Sequence, residues 1–195
     1  MDSETRLWLI RHAPVDGPPG VLHDTDAPAD TSDVARLGGL RAQLPSGAVA
    51  ICSPARRTRE TALALGLAPI VEPAFREQAF GEWTGRRHAD LRIEYGEAYK
   101  TFWFSPASNR PPGGESFEDQ IARVRTGLAA LPEGDVVLIV HSGTIRAALA
   151  IALDLSSERA LSFVLDPLSV TRIDRLEKGW RIVAINRHSG KGQGS

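Results

Sequence analysis

Arg11 and His12 close a short apolar run, Leu7-Trp8-Leu9-Ile10, and His141 and Ser142 close another, Val136-Val137-Leu138-Ile139-Val140. An arginine cluster, Arg56-Arg57-Arg59, follows the apolar residues 48–52, and two carboxylates, Glu77 and Glu82, sit in a segment of mixed aromatics and glycines. A neutral imidazole is nucleophilic at nitrogen and can hold a phosphoryl group covalently, which divides one difficult displacement into two. Guanidiniums pair with the equatorial phosphoryl oxygens by charge-assisted hydrogen bonds, and a second imidazole with the N–H groups of a helix start adds donors. A carboxyl group must protonate the departing alkoxide and then activate water. Together these residue types point to phosphoryl transfer, with Glu77 or Glu82 moving the proton.

Such residues act together only if the fold brings them to one place. Unbroken apolar runs suit strands covered on both faces, and open parallel sheets hold ligands at the C-terminal ends of their strands. If 7–10 and 136–140 are parallel neighbours, His12 and His141 emerge at one edge, and Arg57 joins them from the strand at 48–52. Between these lie a Pro/Gly/Asp-rich loop over residues 16–33 and a helix over 34–44, capped by Thr31 or Ser32, with Val34, Leu37, Leu40 and Leu44 at helical spacing. A second helix starts with Ser53 as N-cap and Pro54 at its first position and runs to Gly66. A short strand at 69–72, a structured loop at 75–85, helices at 86–104, 115–131, 144–153 and 157–163, and a hairpin at 169–174 and 180–186 complete the chain. Strands alternating with helices predict a three-layer α/β/α sandwich with a mostly parallel central sheet and an antiparallel edge strand.

The 195 residues carry a net charge of −1, so no global positive field selects nucleic acid or an acidic membrane surface. The single cysteine, Cys52, has no internal disulfide partner, and no apolar run reaches the roughly 20 residues that span a bilayer. With neither an apolar targeting core nor a cleavage signal at the N-terminus, the expectation is a cytoplasmic protein of one domain. Its expected partner is a small phosphorylated substrate, without nucleic acid or membrane, and the chain is a monomer or homodimer.

The ordered motifs resemble those of the histidine phosphatase superfamily, the phosphoglycerate mutase-like proteins. The family's strand followed by Arg-His-Gly is similar to residues 7–12, with Ala13 in the glycine's place. Its Ser-Pro-Leu-x-Arg-Ala-x-x-Thr-Ala is similar to Ser53-Pro54, Arg57 and Thr61-Ala62, and its Glu-x-x-Phe-Gly-x-Trp-x-Gly to residues 77–85. Pro112-Gly113-Gly114-Glu115-Ser116 and His141-Ser142-Gly143 with Ile145-Arg146 resemble two further motifs. The resemblance selects Arg57 over Arg56 and Glu77 over Glu82. It implies His12 as nucleophile, Glu77 as proton donor, His141 as support for the phosphoryl oxygens, and Arg11, Arg57 and Ser142 as phosphate ligands. Neither metal nor organic cofactor is implied. Pro18 stands where an asparagine often contacts phosphate.

The family domain is expected over residues 1–187, with a disordered tail at 188–195. Within the family the chain is most similar to phosphatases that release the 5′-phosphate of a benzimidazole riboside, and Trp83, Tyr99, Trp103 and Phe104 fall in the region that caps the cleft. Three alternatives use the same residues. One is a broad-specificity phosphatase. Another is a phosphate-binding regulatory module on the same fold. The third, a metal site from His12, His23 and His141, lacks a ligand-spacing motif.

Overall fold

The computed structural model describes residues 4–189. Strands β1 (Thr5–Arg11), β2 (Val49–Cys52), β3 (Ile70–Val71), β4 (Gly134–Val140), β5 (Val170–Arg175) and β6 (Trp180–Arg187) form one sheet in the order β3-β2-β4-β1-β5-β6. The first four strands are parallel, and β5 runs antiparallel to both its neighbours, so the antiparallel part is the β5–β6 hairpin at one side. The helices are α1 (Val34–Arg41), α2 (Arg56–Ala64), α3 (His88–Phe104), α4 (Phe117–Ala129), α5 (Ser142–Leu153) and α6 (Ser157–Ala160).

Side chains alternate across a strand, so a run that is apolar at every position serves two cores. Leu7, Leu9, Val136, Leu138 and Val140 pack with α4 and α5 on one face, while Ile10, Val137 and Ile139 pack with α1 and α2 on the other. The result is the α/β/α sandwich expected from the alternation of elements. Register then sets the site: Arg11 pairs with Val140, and the His12 N–H donates to the Val140 carbonyl at 3.0 Å, so His12 leaves the sheet beside His141.

Several boundaries differ from the sequence reading, each for a local reason. Asp33, not Thr31 or Ser32, caps α1 by accepting from the Arg36 N–H, and Val34 in its first turn faces solvent at 75% exposure while Leu37 and Leu40 are buried. α2 starts at Arg56 behind an extended Ala55, because the Ser53 hydroxyl is engaged by His141 and by the Ala55 N–H instead of capping the helix from the first position. Gly96, at φ 47° and ψ −113°, interrupts α3, and α6 ends at Ala160. The loop at 75–85 borders a 3₁₀ turn at Pro73–Phe75 and contains another at Gly81–Trp83. By contrast, Ser116 and Asp119 form a full capping box at the start of α4. His188 and Ser189, read as the start of the tail, hydrogen-bond to Asp166 and to the Arg36 carbonyl, and residues 190–195 lie outside those described. Among the described residues no helix is long and apolar enough to cross a membrane.

Gly81 ties the 77–85 segment to the loop before α4. Its φ is +53°, and a Cβ there would fall 2.0 Å from the Pro112 carbonyl oxygen and 2.5 Å from the Gly113 backbone. Gly81→Ala is therefore expected to destabilise the fold by roughly 2–4 kcal/mol in urea unfolding. Gly47→Ala, with positive φ but nothing within 4 Å, should cost only about 1 kcal/mol. Equal losses would show that backbone strain alone, without the clash, sets the cost at Gly81.

Candidate active site

His12 and His141 stand with ring centroids 5.1 Å apart in an edge arrangement, and Arg57 bridges them. The Arg57 guanidinium donates from Nε to His12 Nε2 at 3.3 Å and lies 3.4 Å from His141 Nδ1 through Nη2, while Nη1 donates to the Asp24 carbonyl at 2.7 Å. The long loop thus holds the third arm of the arginine. His12 Nδ1 lies 2.6 Å from the Ala13 carbonyl, an acceptor that requires the proton to sit on Nδ1. Nε2 is left with its lone pair, the form a nucleophile needs.

His141 has the opposite tautomer. Its Nε2 lies 2.7 Å from Ser53 Oγ, which already accepts from the Ala55 N–H and lies 3.0 Å from Thr58 Oγ1. With Arg57 donating to Nδ1, the proton belongs on Nε2, and Nδ1 must take up a proton before it can donate to a phosphoryl oxygen. An arriving dianion favours that protonation.

Burial, followed by the charges of His141 and Arg57, holds the His12 pKa well below the ordinary imidazole value, against the pull of the Ala13 carbonyl. Burial, then Arg57 and Arg11, does the same at His141. The Arg11 and Arg57 pKa values are lowered as well, first by burial, with Glu77 acting in the other direction. Arg11 anchors Nη1 on the Leu165 carbonyl, and its Nε is buried without a partner among the described residues. An uncommitted buried donor is expensive unless a ligand receives it, and here that ligand would be an anion.

These side chains line one cavity of about 750 Å³, together with Glu77, Ser142, Gly143 and Arg146. The structure brings together all six residues singled out in the sequence: Arg11, His12, Arg57, Glu77, His141 and Ser142. Glu82 lies apart, accepting from the Tyr95 hydroxyl at 3.3 Å. Ala13 is accommodated without positive φ, and its N–H donates to Thr61 Oγ1 at 3.0 Å. Pro18 does not line this cavity; it borders an adjoining surface hollow that shares Val21, His23 and Asp24 with it. His23 lines the cavity, but a guanidinium stands between the two other imidazoles of the metal-site reading. Among the described residues no group of three or more His, Cys, Asp or Glu side chains is set to hold a metal ion.

Of the four aromatics expected over the cleft, only Trp103, 40% exposed, lines it. Trp83 is buried in a small core with Leu91 and Phe102, Tyr99 packs against Trp83 and contacts His88 Nδ1 at 2.9 Å, and Phe104 is 92% exposed. The wall is completed by Phe80, Phe102, His88 and Leu22, which the sequence reading did not assign to the cleft. Ser53, which contacts His141, and Gln120, whose Nε2 donates to Glu77 Oε1 at 3.1 Å, adjoin these side chains without having been singled out from the sequence. The Ser-Pro motif read as a helix cap, whereas Gln120 carried a usable signal, a polar residue in the buried phase of α4 with Phe117 and Val124.

The sequence model of the histidine phosphatase superfamily (branch 1) matches residues 7–188. The chain belongs to that superfamily. A bifunctional protein of Mycobacterium tuberculosis is 31% identical over 96% of this chain, and the chain spans 55% of that relative's length. The adenosylcobalamin/alpha-ribazole phosphatase of Escherichia coli is 27% identical, with 93% of this chain and 95% of that protein covered. The solved mycobacterial glucosyl-3-phosphoglycerate phosphatase superposes with a TM-score of 0.79 at 26% identity, over 94% of this chain and 99% of that one.

Both imidazoles have pKa values below the roughly 6.5 of an unfolded chain, so unfolding takes up protons at low pH. Their contribution to stability is whole above about pH 6.5 and is lost as the pH falls toward the folded-state values. Nitrogen-detected NMR titration of the ligand-free protein is expected to find both rings neutral at about pH 6. A protonation midpoint at or above about 6.5 for His12 would contradict the electrostatics described here.

Proposed function

We propose that the protein is a phosphomonoesterase working through a phosphohistidine, and that its substrate is alpha-ribazole 5′-phosphate, in the cytoplasmic assembly of cobalamin. The observation that carries the reaction class is the pairing of a lone pair on His12 Nε2 with a bridging Arg57 and a carboxyl group, Glu77, in the same cavity. In the first step Nε2 attacks phosphorus, the bond from phosphorus to the leaving oxygen breaks, and that oxygen takes its proton from Glu77. In the second, water attacks phosphorus, the N–P bond breaks, and the water's proton returns to Glu77, which leaves inorganic phosphate and neutral His12.

Arg11, Arg57 and the N–H groups at Ser142 and Gly143 offset the charge on the phosphoryl oxygens. The Ala13 carbonyl, bonded to Nδ1–H throughout, offsets the positive character of the phosphorylated ring. Every proton has a carrier in this scheme, and none of its steps needs a metal.

The choice of substrate is supported by the similarity to the E. coli enzyme and by the wall of Phe80, Phe102 and Trp103, which suits a flat leaving group. The test is turnover after exhaustive chelation, with alpha-ribazole 5′-phosphate beside phosphoserine, 3-phosphoglycerate and a small aryl phosphate. The expected result is activity that survives chelation and a kcat/KM for alpha-ribazole phosphate about tenfold or more above the others. Trp103→Ala is expected to lower that value roughly three- to tenfold more than the value for the aryl phosphate. Even turnover across the panel would replace this substrate with a broad specificity, equal losses in Trp103→Ala would reject stacking, and no turnover by folded protein would leave a phosphate-binding module.

A further inference from the structure

We propose that Gln120 is the positioning residue for Glu77 and that its amide serves the carboxyl group in both protonation states. Gln120 is fully buried on α4, in the phase of Phe117 and Val124, where an apolar side chain would ordinarily pack. Its Nε2 donates to Glu77 Oε1 at 3.1 Å and to the Arg76 carbonyl at 3.3 Å. Its Oε1 is buried with no partner among the described residues.

Gly143 closes the arrangement from α5. A Cβ there would lie 2.2 Å from Glu77 Oε1 and 2.7 Å from Gln120 Oε1, so the carboxyl, the idle amide oxygen and the first turn after His141 meet at one point. A carboxylate needs donors and a carboxylic acid needs an acceptor. An acid/base group that alternates between the two is best held by a neighbour that carries both, and an amide does so without gaining or losing a proton.

The backbone around Glu77 is fixed separately. The Glu115 carboxylate accepts from Arg123 Nη2 at 2.9 Å, from the Ala79 N–H at 3.1 Å and from Arg76, and Gln78 Nε2 donates to the Glu115 carbonyl at 2.7 Å. Changing Gln120 therefore leaves Glu77 Oε1 with the Gln78 N–H, at 3.2 Å, as its remaining donor, while Arg123 Nη1, at 3.1 Å, still holds the Arg76 carbonyl.

The inference rests on Glu77 being the acid/base of the proposed reaction, and the experiment separates the two. Gln120→Met keeps length and volume and removes both donor and acceptor. kcat/KM would be measured for wild type, Gln120→Met and Glu77→Gln on a series of phosphate monoesters running from alkyl to 4-nitrophenyl, with thermal melts of each. Departure of nitrophenolate needs little protonation, so Gln120→Met is expected to lose roughly tenfold to hundredfold on alkyl esters and under about threefold on the nitrophenyl ester. Glu77→Gln should show the same pattern more strongly.

Gln120→Asn, which keeps the amide but draws it back from Glu77 by one methylene, should also penalise alkyl esters more than the nitrophenyl ester, and it decides the matter if Gln120→Met does not fold. A uniform loss, or none, in Gln120→Met while Glu77→Gln retains its leaving-group dependence overturns the positioning role. A flat series in Glu77→Gln overturns the acid assignment itself.

Discussion

The pairing of β1 with β4 is the constraint on which the site depends. Because Arg11 lies opposite Val140, the next residue on each strand is a histidine, and the two rings leave the same sheet edge 5.1 Å apart between centroids. A slip of one residue would turn Leu7 and Leu9 to the wrong core and send His12 to the wrong face. The two cores that hold the strands therefore also hold the imidazoles. Into that gap α2 delivers Arg57, and the outcome is two buried rings, the buried Arg57 and the half-buried Arg11 within one cavity.

So much potential positive charge in a desolvated place can persist only if the imidazoles are neutral. That condition leaves His12 Nε2 the lone pair that the proposed attack on phosphorus requires, and leaves the cavity with uncompensated donors for an anion. The donors are fixed before any ligand arrives, so little reorganisation is needed when charge develops on the phosphoryl oxygens. Glu77 comes from a segment without secondary structure, and its order derives from α4 through Gln120 and Arg123 and from Glu115 just before it. One part of the cavity is set by sheet register and another by helix packing, and α5 joins them, with His141 at its N-cap and Gly143 against Glu77.

The strand-end residues were legible because apolar runs that stop abruptly at Arg11-His12 and at His141 report both burial and edge. Glu77 could not be separated from Glu82 by pattern, since residues 75–85 follow neither helical nor strand periodicity, and only the family motif distinguished them. The aromatic cap was half legible. Trp83 precedes α3, in the 3₁₀ turn, and fills a core with Leu91 and Phe102; Tyr99 packs on that core, and Trp103, one turn further along α3 and in ring contact with Tyr99, reaches the cavity. Ser53 illustrates a competition that sequence leaves open: a serine before proline caps many helices, but here the stronger demand is the His141 ring.

The central claim is that His12 Nε2 carries the phosphoryl group between substrate and water. Rapid alkaline quenching during turnover, followed by peptide mass spectrometry of the trapped protein, tests it directly. The expected result is one phosphoryl group on the peptide containing His12, absent from His12→Ala. Phosphorylation at His141, or turnover with no trapped phosphohistidine and no loss in His12→Ala, would contradict it.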